Sequence, residues 1–337
     1  VPSMERVDVV ELEPLVVDVA KACAAVNFHA LTNPKVHLTL ADAREVMLTT
    51  DRQYDLVISE PSNPYRAGIA SLLTTEFYET VRDRLQPNGI FAQWVQGYGI
   101  DAGTLRTAYA TLHGTFPHVQ TWWTLGGDLV LIASREPIVI DADLIRRRIA
   151  AEPFSSATYD AWRIESAEGF LARLVGNEAF TAAVARVAST LNTDDRTVIE
   201  FGFARSVSDD ATANRLLVSA AARESMNRPL HVRGAVDWKA VEAQRPDTPG
   251  LGITRLEQLV QSIASGDPRA EPQLGALRQR SPLDAMLLLG ILRSRQKRLD
   301  EATELLRRGF VAARKTTLVD PATFGIAVDI ALMIART

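Results

Sequence analysis

Two apolar runs, each stopping on acidic residues, constrain what this chain can fold into more than any other feature. Residues 7–14 read VDVVELEP, a strand that stops on Glu11 and Glu13. Residues 54–68 read YDLVISEPSNPYRAG, a second strand that stops on Ser59 and Glu60 and opens into a Pro/Asn loop. Buried strands separated by a helical stretch build an open α/β sheet, and acids at their ends mark a nucleoside-type site at its carboxyl edge. Such sheets ordinarily open with a strand and a glycine-rich turn. Here residue 1 lies next to what reads as the second strand, and the first glycine is Gly68. The expectation is a chain that starts inside its own binding domain, with the first strand missing.

The pattern continues in the same style. Pro14 suits the first turn of a helix running to about Asn27, with Leu15, Val16, Val19, Ala20, Cys23 and Val26 recurring at helical spacing. Val36, Leu38 and Leu40 alternate as a strand that stops before Asp42, and a brief helix follows over 43–48. A helix over 75–85 ends at the turn signal QPNG (86–89), followed by a strand over 90–95 and a helix over 102–112. Residues 119–124 and 129–133 pair across Gly126-Gly127-Asp128 as a hairpin. Strand–helix alternation up to residue 97 implies parallel pairing, and the hairpin implies an antiparallel edge.

After Pro137 the sequence becomes helical and rich in Ala and Arg, and RPDTPGLG (245–252) reads as a linker. The division expected is therefore 1–136, 137–245 and 246–337. Within the last part, AMLLLGILRSRQKRLDEATELLRRGF resembles one tetratricopeptide unit. Gly290 would allow close helix crossing and Ala302 would fill the tight spot opposite; a plain amphipathic hairpin is the alternative.

Composition narrows the function classes. Apolar residues make up 47% and charged residues 23%, so the chain can bury a core. A net charge of −4 with scattered Lys and Arg suits neither a nucleic-acid groove nor an anionic membrane surface. No apolar run approaches the roughly 18–20 residues that span a bilayer. A lone cysteine, Cys23, rules out an internal disulfide and is expected to be a buried structural thiol. The five histidines show no metal-ligand spacing, and no metal site is assigned.

Several places could carry chemistry. Glu11, at a strand end, suits two adjacent ribose hydroxyls, because a carboxylate accepts through two oxygens. Asp42 could accept from an adenine amine or simply cap the helix behind it. Glu60, on the same edge, could orient or deprotonate an amine nucleophile. The stiff polar loop after it carries Ser62 and Asn63, and Gln93, Trp94, Gln96 and Tyr98 lie at or past the next strand end. The polar run NTDDR (192–196) could reach the site from a second domain, and reads as a helix cap or an interdomain ion pair.

The string VDVVELEP…ADAREVML…YDLVISEPSNPYRAGIASLLTTEFYETVRDRLQPNGIFAQWVQ resembles the polyamine aminopropyltransferases, the spermidine/spermine synthase family, and looks closest to its larger multidomain members. The resemblance covers roughly residues 5–134, and LNTDDR with Glu200 resembles those larger relatives too. It implies a Rossmann-like sheet of the S-adenosylmethionine-dependent methyltransferase type, here without its first strand, followed by an all-α region with tetratricopeptide-like hairpins. In that sheet the missing strand would lie between those ending at Glu11 and Glu60, leaving open edges.

The reaction implied is aminopropyl transfer from decarboxylated S-adenosylmethionine to an amine. By position, Glu11 would hold the ribose, Asp42 the adenine, and Glu60 would stand where the family has its catalytic aspartate. Asn63 would stand where a second aspartate helps hold the amine, with Ser62, Gln93 and Tyr98 lining the amine side. No cofactor is expected to be tightly bound; decarboxylated S-adenosylmethionine or S-adenosylmethionine would be a co-substrate. The expected partners are a small amine and no nucleic acid, with a protein partner at the C-terminal helices and self-association as further options. The expected location is cytoplasmic, although larger relatives include chains with membrane segments upstream. A methyltransferase, or a noncatalytic nucleoside-binding domain on a helical scaffold, are the alternatives.

Overall fold

The computed structural model describes residues 3–61, 68–96, 100–124, 128–162, 164–188, 190–206, 226–245, 259, 262–263, 265–314 and 321–335. The chain divides into two compact units, Val1–Gly252 and Ile253–Thr337.

In the first unit β1 (Val7–Glu11) leads into α1 (Pro14–Ala22), whose N-cap is Glu13: its carboxylate accepts the Leu15 N–H at 3.1 Å, and Pro14 occupies the first turn. The helix stops at Cys23 rather than near Asn27. The Asn27 side-chain amide bonds back to the Ala20 carbonyl at 2.7 Å, and Phe28 and His29 take left-handed backbone angles, which a helix cannot continue through. The apolar stripe expected to face inward is exposed: Val19 is 60% accessible, Leu15 is also open, and only Val17 of this helix is buried. Cys23 is exposed as well, not a buried thiol.

Parallel to β1 runs β2 (Val36–Leu40), followed by α2 (Ala43–Thr49). Next come β3 (Tyr54–Ser59), α3 (Thr75–Asp83), β4 (Leu85–Val95), α4 (Ala102–Thr115), β5 (His118–Trp123) and β6 (Leu129–Ser134). The segment QPNG does not end a helix at a free turn. It is taken up in β4 as an irregularity, because the partner of Tyr54 is Leu85 while the partner of Leu56 is Ile90.

Strands β5 and β6 form the expected antiparallel hairpin, and β6 lies between β4 and β5. Beyond them are β7 (Val139–Asp141), α5 (Ala142–Ile149), α6 (Phe154–Trp162) and α7 (Ala167–Leu171). Then follow β8 (Leu174–Gly176), α8 (Glu178–Arg186), α9 (Val198–Ser206), β9 (His231–Arg233) and α10 (Trp238–Gln244). The main sheet has the order β3-β4-β6-β5-β8, so a strand from the region expected to be helical closes its far edge. A separate parallel pair joins β7 to β9.

The strands β1 and β2 stand apart from the main sheet. Among the described residues β1 pairs only with β2, and β3 only with β4. The starts of β1 and β3 still meet, through the Tyr54 hydroxyl and the Asp8 carboxylate at 3.3 Å. Neither strand is buried on both faces, contrary to the expectation from their apolar runs. Along β3, Val57 packs on the core, whereas Leu56 is 40% and Ile58 67% accessible.

The main core lies on the other side of the sheet. It is built from Phe77, Tyr78, Phe91, Leu105, Tyr109 and Phe116, among others, and Phe91 stacks on Phe116 with ring centroids 5.8 Å apart. Its buried members all fall between Ala70 and Ile199.

Helix α9 crosses α4 closely at Gly202. A Cβ there would fall on the Thr104 hydroxyl and stand 2.8 Å from Thr104 Cβ, and that hydroxyl is tied to Asp101, the N-cap of α4, at 2.6 Å. Gly202→Ala is therefore expected to destabilise the unit by about 2 kcal/mol, overpacking outweighing the gain in helix propensity. Urea denaturation checks this, and an unchanged midpoint would refute the close crossing.

In the second unit, α11 (Leu274–Arg280), α12 (Pro282–Arg295), α13 (Leu299–Ala313) and α14 (Pro321–Ile334) share a core that includes Leu287, Leu288, Ile291, Leu306 and Ile330. Gly290 lies against Leu306, whose Cγ would stand 2.9 Å from an added Cβ, and Ala302 is fully buried. The expected helical hairpin is present. The linker expected at 245–252 lies, beyond Arg245, outside the described residues. The fold is a mixed α/β sheet followed by helices.

Candidate functional site

Glu11 and Asp42 end neighbouring parallel strands and are held in the same way. Glu11 Oε1 accepts the N–H of Glu13, two residues on, at 2.8 Å. Asp42 Oδ1 accepts the N–H of Arg44, again two residues on, at 2.7 Å, and so caps α2. In each case one carboxylate oxygen is engaged by the turn that follows the strand, and the second has no partner among the described residues. Local backbone thus orients two acceptors at one sheet edge and leaves each with an open oxygen.

Glu60 follows β3 directly and is exposed; among the described residues it makes no hydrogen bond or ion pair. Register carries it further. Ser59 pairs with Gln93 and Trp94 pairs with Val130, so alternation puts Glu60, Trp94, Val130 and Asp128 on one face of the sheet. Gln93 falls on the opposite, core-facing side with Phe91 and Val95. It is fully buried, and its amide nitrogen donates to the Trp94 carbonyl at 2.8 Å and the Ser59 carbonyl at 3.3 Å. Gln96 is buried too. Ser62, Asn63 and Tyr98 lie outside the described residues.

Asp128 is the group that sequence reasoning missed. It directly precedes β6, and in the sequence it stands out only as a turn residue. Burial raises its carboxyl above the ordinary value, a hydrogen bond with Trp94 offsets this, and the nearby Glu60 charge adds to the rise. One of its oxygens is buried without a hydrogen-bond partner. Two carboxyl groups on one face, one exposed and one partly desolvated, suit a cationic amine and a proton leaving it. The signal was available: an acid ending a hairpin turn at the carboxyl edge of a parallel sheet.

The run at 192–196 docks on the same edge of the unit. Asn192 is completely buried, and its amide nitrogen donates to the carbonyls of Ala70 (3.1 Å) and Leu73 (3.0 Å). Its side-chain oxygen accepts from the Ile199 N–H at 3.2 Å. Asp194 receives two bonds from the Arg44 guanidinium, at 2.8 and 2.6 Å, and one from the Thr74 hydroxyl at 2.7 Å. The Arg44 bond holds the Asp194 carboxyl below its usual value. The ion pair expected to join two domains lies instead within the first unit. Among the described residues there is no cluster of metal-ligating side chains, and no helix is long and apolar enough to cross a membrane.

The family model for the spermine/spermidine synthase domain matches residues 1–125. A polyamine aminopropyltransferase of Alkaliphilus oremlandii is 29% identical over 137 residues, which is 37% of this chain and 48% of the relative. The corresponding enzyme of Nitrosomonas europaea is 28% identical over 156 residues, 44% of this chain and 48% of its own. The chain thus spans about half the length of these curated relatives. Among solved structures, a probable spermidine synthase from Corynebacterium glutamicum aligns over 56% of this chain and 63% of its own, at 19% identity and a TM-score of 0.39. Human methyltransferase-like protein 13 in complex with SAH aligns over 39% of this chain and 62% of its own, at 19% identity and a TM-score of 0.33.

Proposed function

We propose that this protein moves an aminopropyl group from decarboxylated S-adenosylmethionine to a small amine. The observation that carries the reading is the family match itself, which spans the strand ends bearing Glu11, Asp42 and Glu60. In this reading Glu11 takes the ribose hydroxyls and Asp42 the adenine amine, each through its open oxygen. The amine nitrogen attacks the carbon beside the sulfonium. The carbon–sulfur bond breaks, its electron pair stays on sulfur, and methylthioadenosine leaves. Glu60 accepts the proton that the amine loses, and Asp128 adds negative charge that draws the cationic substrate in. Asn63, Ser62 and Tyr98 are assigned to the amine side; Gln93, expected there from the sequence, is buried on the core face of the sheet and takes no part.

Residues 1–136 would carry this chemistry and 246–337 would form a tetratricopeptide-like region for a protein partner; 137–245, expected as a helical domain, instead shares the first unit and adds β8 to its sheet.

Calorimetric titration tests the reading. Methylthioadenosine, decarboxylated S-adenosylmethionine and S-adenosylmethionine would each be titrated into wild type and Glu11→Ala. The expected result is preference for the decarboxylated donor, weakened at least about tenfold in the variant by loss of a charged acceptor. Preference for S-adenosylmethionine would move the assignment to methyl transfer. Failure of the folded protein to bind any of the three would leave a noncatalytic domain.

A further inference from the structure

Helix α2 has no fully buried residue and touches the main core through Met47, near its C-terminal end, and the strand before it is largely exposed. Two arginines fix its ends. At the C-terminal end, Arg84 donates to the carbonyls of Met47 and Leu48, both at 3.1 Å, satisfying acceptors that a helix end leaves open. At the N-terminal end, Arg44 reaches out to the Ser71 carbonyl at 2.7 Å and, through both terminal nitrogens, to the Asp194 carboxylate.

The backbone N–H of that same Arg44 is the group that holds Asp42. Asp194 is itself set from two sides: by the Thr74 hydroxyl, and by the Glu76 carboxylate, which accepts its N–H at 3.0 Å. Two residues earlier Asn192 is anchored in the interior. A rigid chain of contacts therefore runs from residue 192 to the carboxylate of Asp42.

We propose that Asp194 is a positioning residue for nucleoside binding. By gripping Arg44 it fixes the first turn of α2 and with it the direction of the open Asp42 oxygen. A planar guanidinium bound by two parallel hydrogen bonds suits this task, because it fixes orientation as well as distance. This rests on the reading that Asp42 meets the nucleoside. It adds that a segment some 150 residues further along the chain sets the affinity of that subsite.

The test is a double-mutant cycle on methylthioadenosine affinity, measured by calorimetry on the whole protein: wild type, Asp194→Asn, Asp42→Asn and the pair. Asp194→Asn keeps the size of the side chain and removes its charge. It is expected to weaken binding about tenfold, within the range by which one site shifts another. In the Asp42→Asn background the same change is expected to do almost nothing, since the group it orients is already gone. Should Asp194→Asn fail to fold, Arg44→Lys, which keeps the charge and loses the paired geometry, takes its place in the cycle.

Equal affinity for Asp194→Asn and wild type, with Asp42→Asn weakened, would overturn the positioning role and leave the nucleoside assignment standing. Additive losses would overturn it in favour of a general structural effect. Wild-type affinity in Asp42→Asn would remove the Asp42 assignment and this proposal together, and absence of binding by the wild type would remove the proposed function as well.

Discussion

Glu60→Gln is expected to slow aminopropyl transfer by about 10²–10³-fold, within the usual contribution of a positioned general base. It should leave methylthioadenosine affinity nearly unchanged. The amide has the shape of the carboxylate but cannot take the proton that the amine sheds as its nitrogen bonds to carbon. Glu60 has no hydrogen bond or ion pair among the described residues, so its replacement breaks no contact of the fold. Its neighbour Asp128 is assigned to drawing the cationic amine in, and this variant leaves it in place.

Asp128→Asn should consequently act more on amine affinity than on the transfer step. Single-turnover assays with decarboxylated S-adenosylmethionine and putrescine separate the two, because they report transfer apart from binding and release. A Glu60→Gln enzyme retaining its full single-turnover rate would sink the assignment of Glu60 as base.

The largest effect on stability is expected at a residue with no part in the chemistry. Asn192→Ala should destabilise the first unit by about 3–4 kcal/mol, because it strands several buried partners at roughly 1–3 kcal/mol for each group left unpaired. Those partners are the carbonyls of Ala70 and Leu73 and the N–H of Ile199, on residues that are almost wholly inaccessible to water. Such a loss is a large share of the 5–15 kcal/mol that typically holds a domain folded. By contrast Asp194, 40% accessible at its side chain, belongs to a partly solvated pair, and its neutralisation should cost little stability. Urea denaturation of the two variants checks the contrast, and an Asn192→Ala loss no greater than that of Asp194→Asn would refute it.

What could be read in the sequence was what local pattern determines. The ends of β1, β2 and β3, the β5–β6 hairpin and the cap at Asp42 follow from residues close together in the chain. The tight crossing at Gly290 was legible for the same reason. Burial was not legible, because it depends on what a face meets. The stripe on α1 has the right spacing for an inner face and is nevertheless exposed, and Cys23 with it. Asp128 escaped notice because its partners, Trp94 and Glu60, come from two other strands. Asn192 reaches across about 120 positions to Ala70 and Leu73, and no window of sequence contains that contact. The strand β8 is three residues long, too short for alternation to show.

The divided sheet bears on cooperativity. No buried member of the main core comes from β1, α1 or β2, so the part carrying Glu11 and the part carrying Glu60 rest on different foundations. Elements with few buried apolar contacts and open strand edges reach their open states at lower free energy than the global transition. Amide hydrogens of β1 and β2 should accordingly exchange well ahead of those in β4 and β6. A ligand touching Glu11 and Glu60 at once would have to hold two separately opening pieces together. Part of its binding free energy would then appear as slowed exchange across residues 7–40 rather than as affinity.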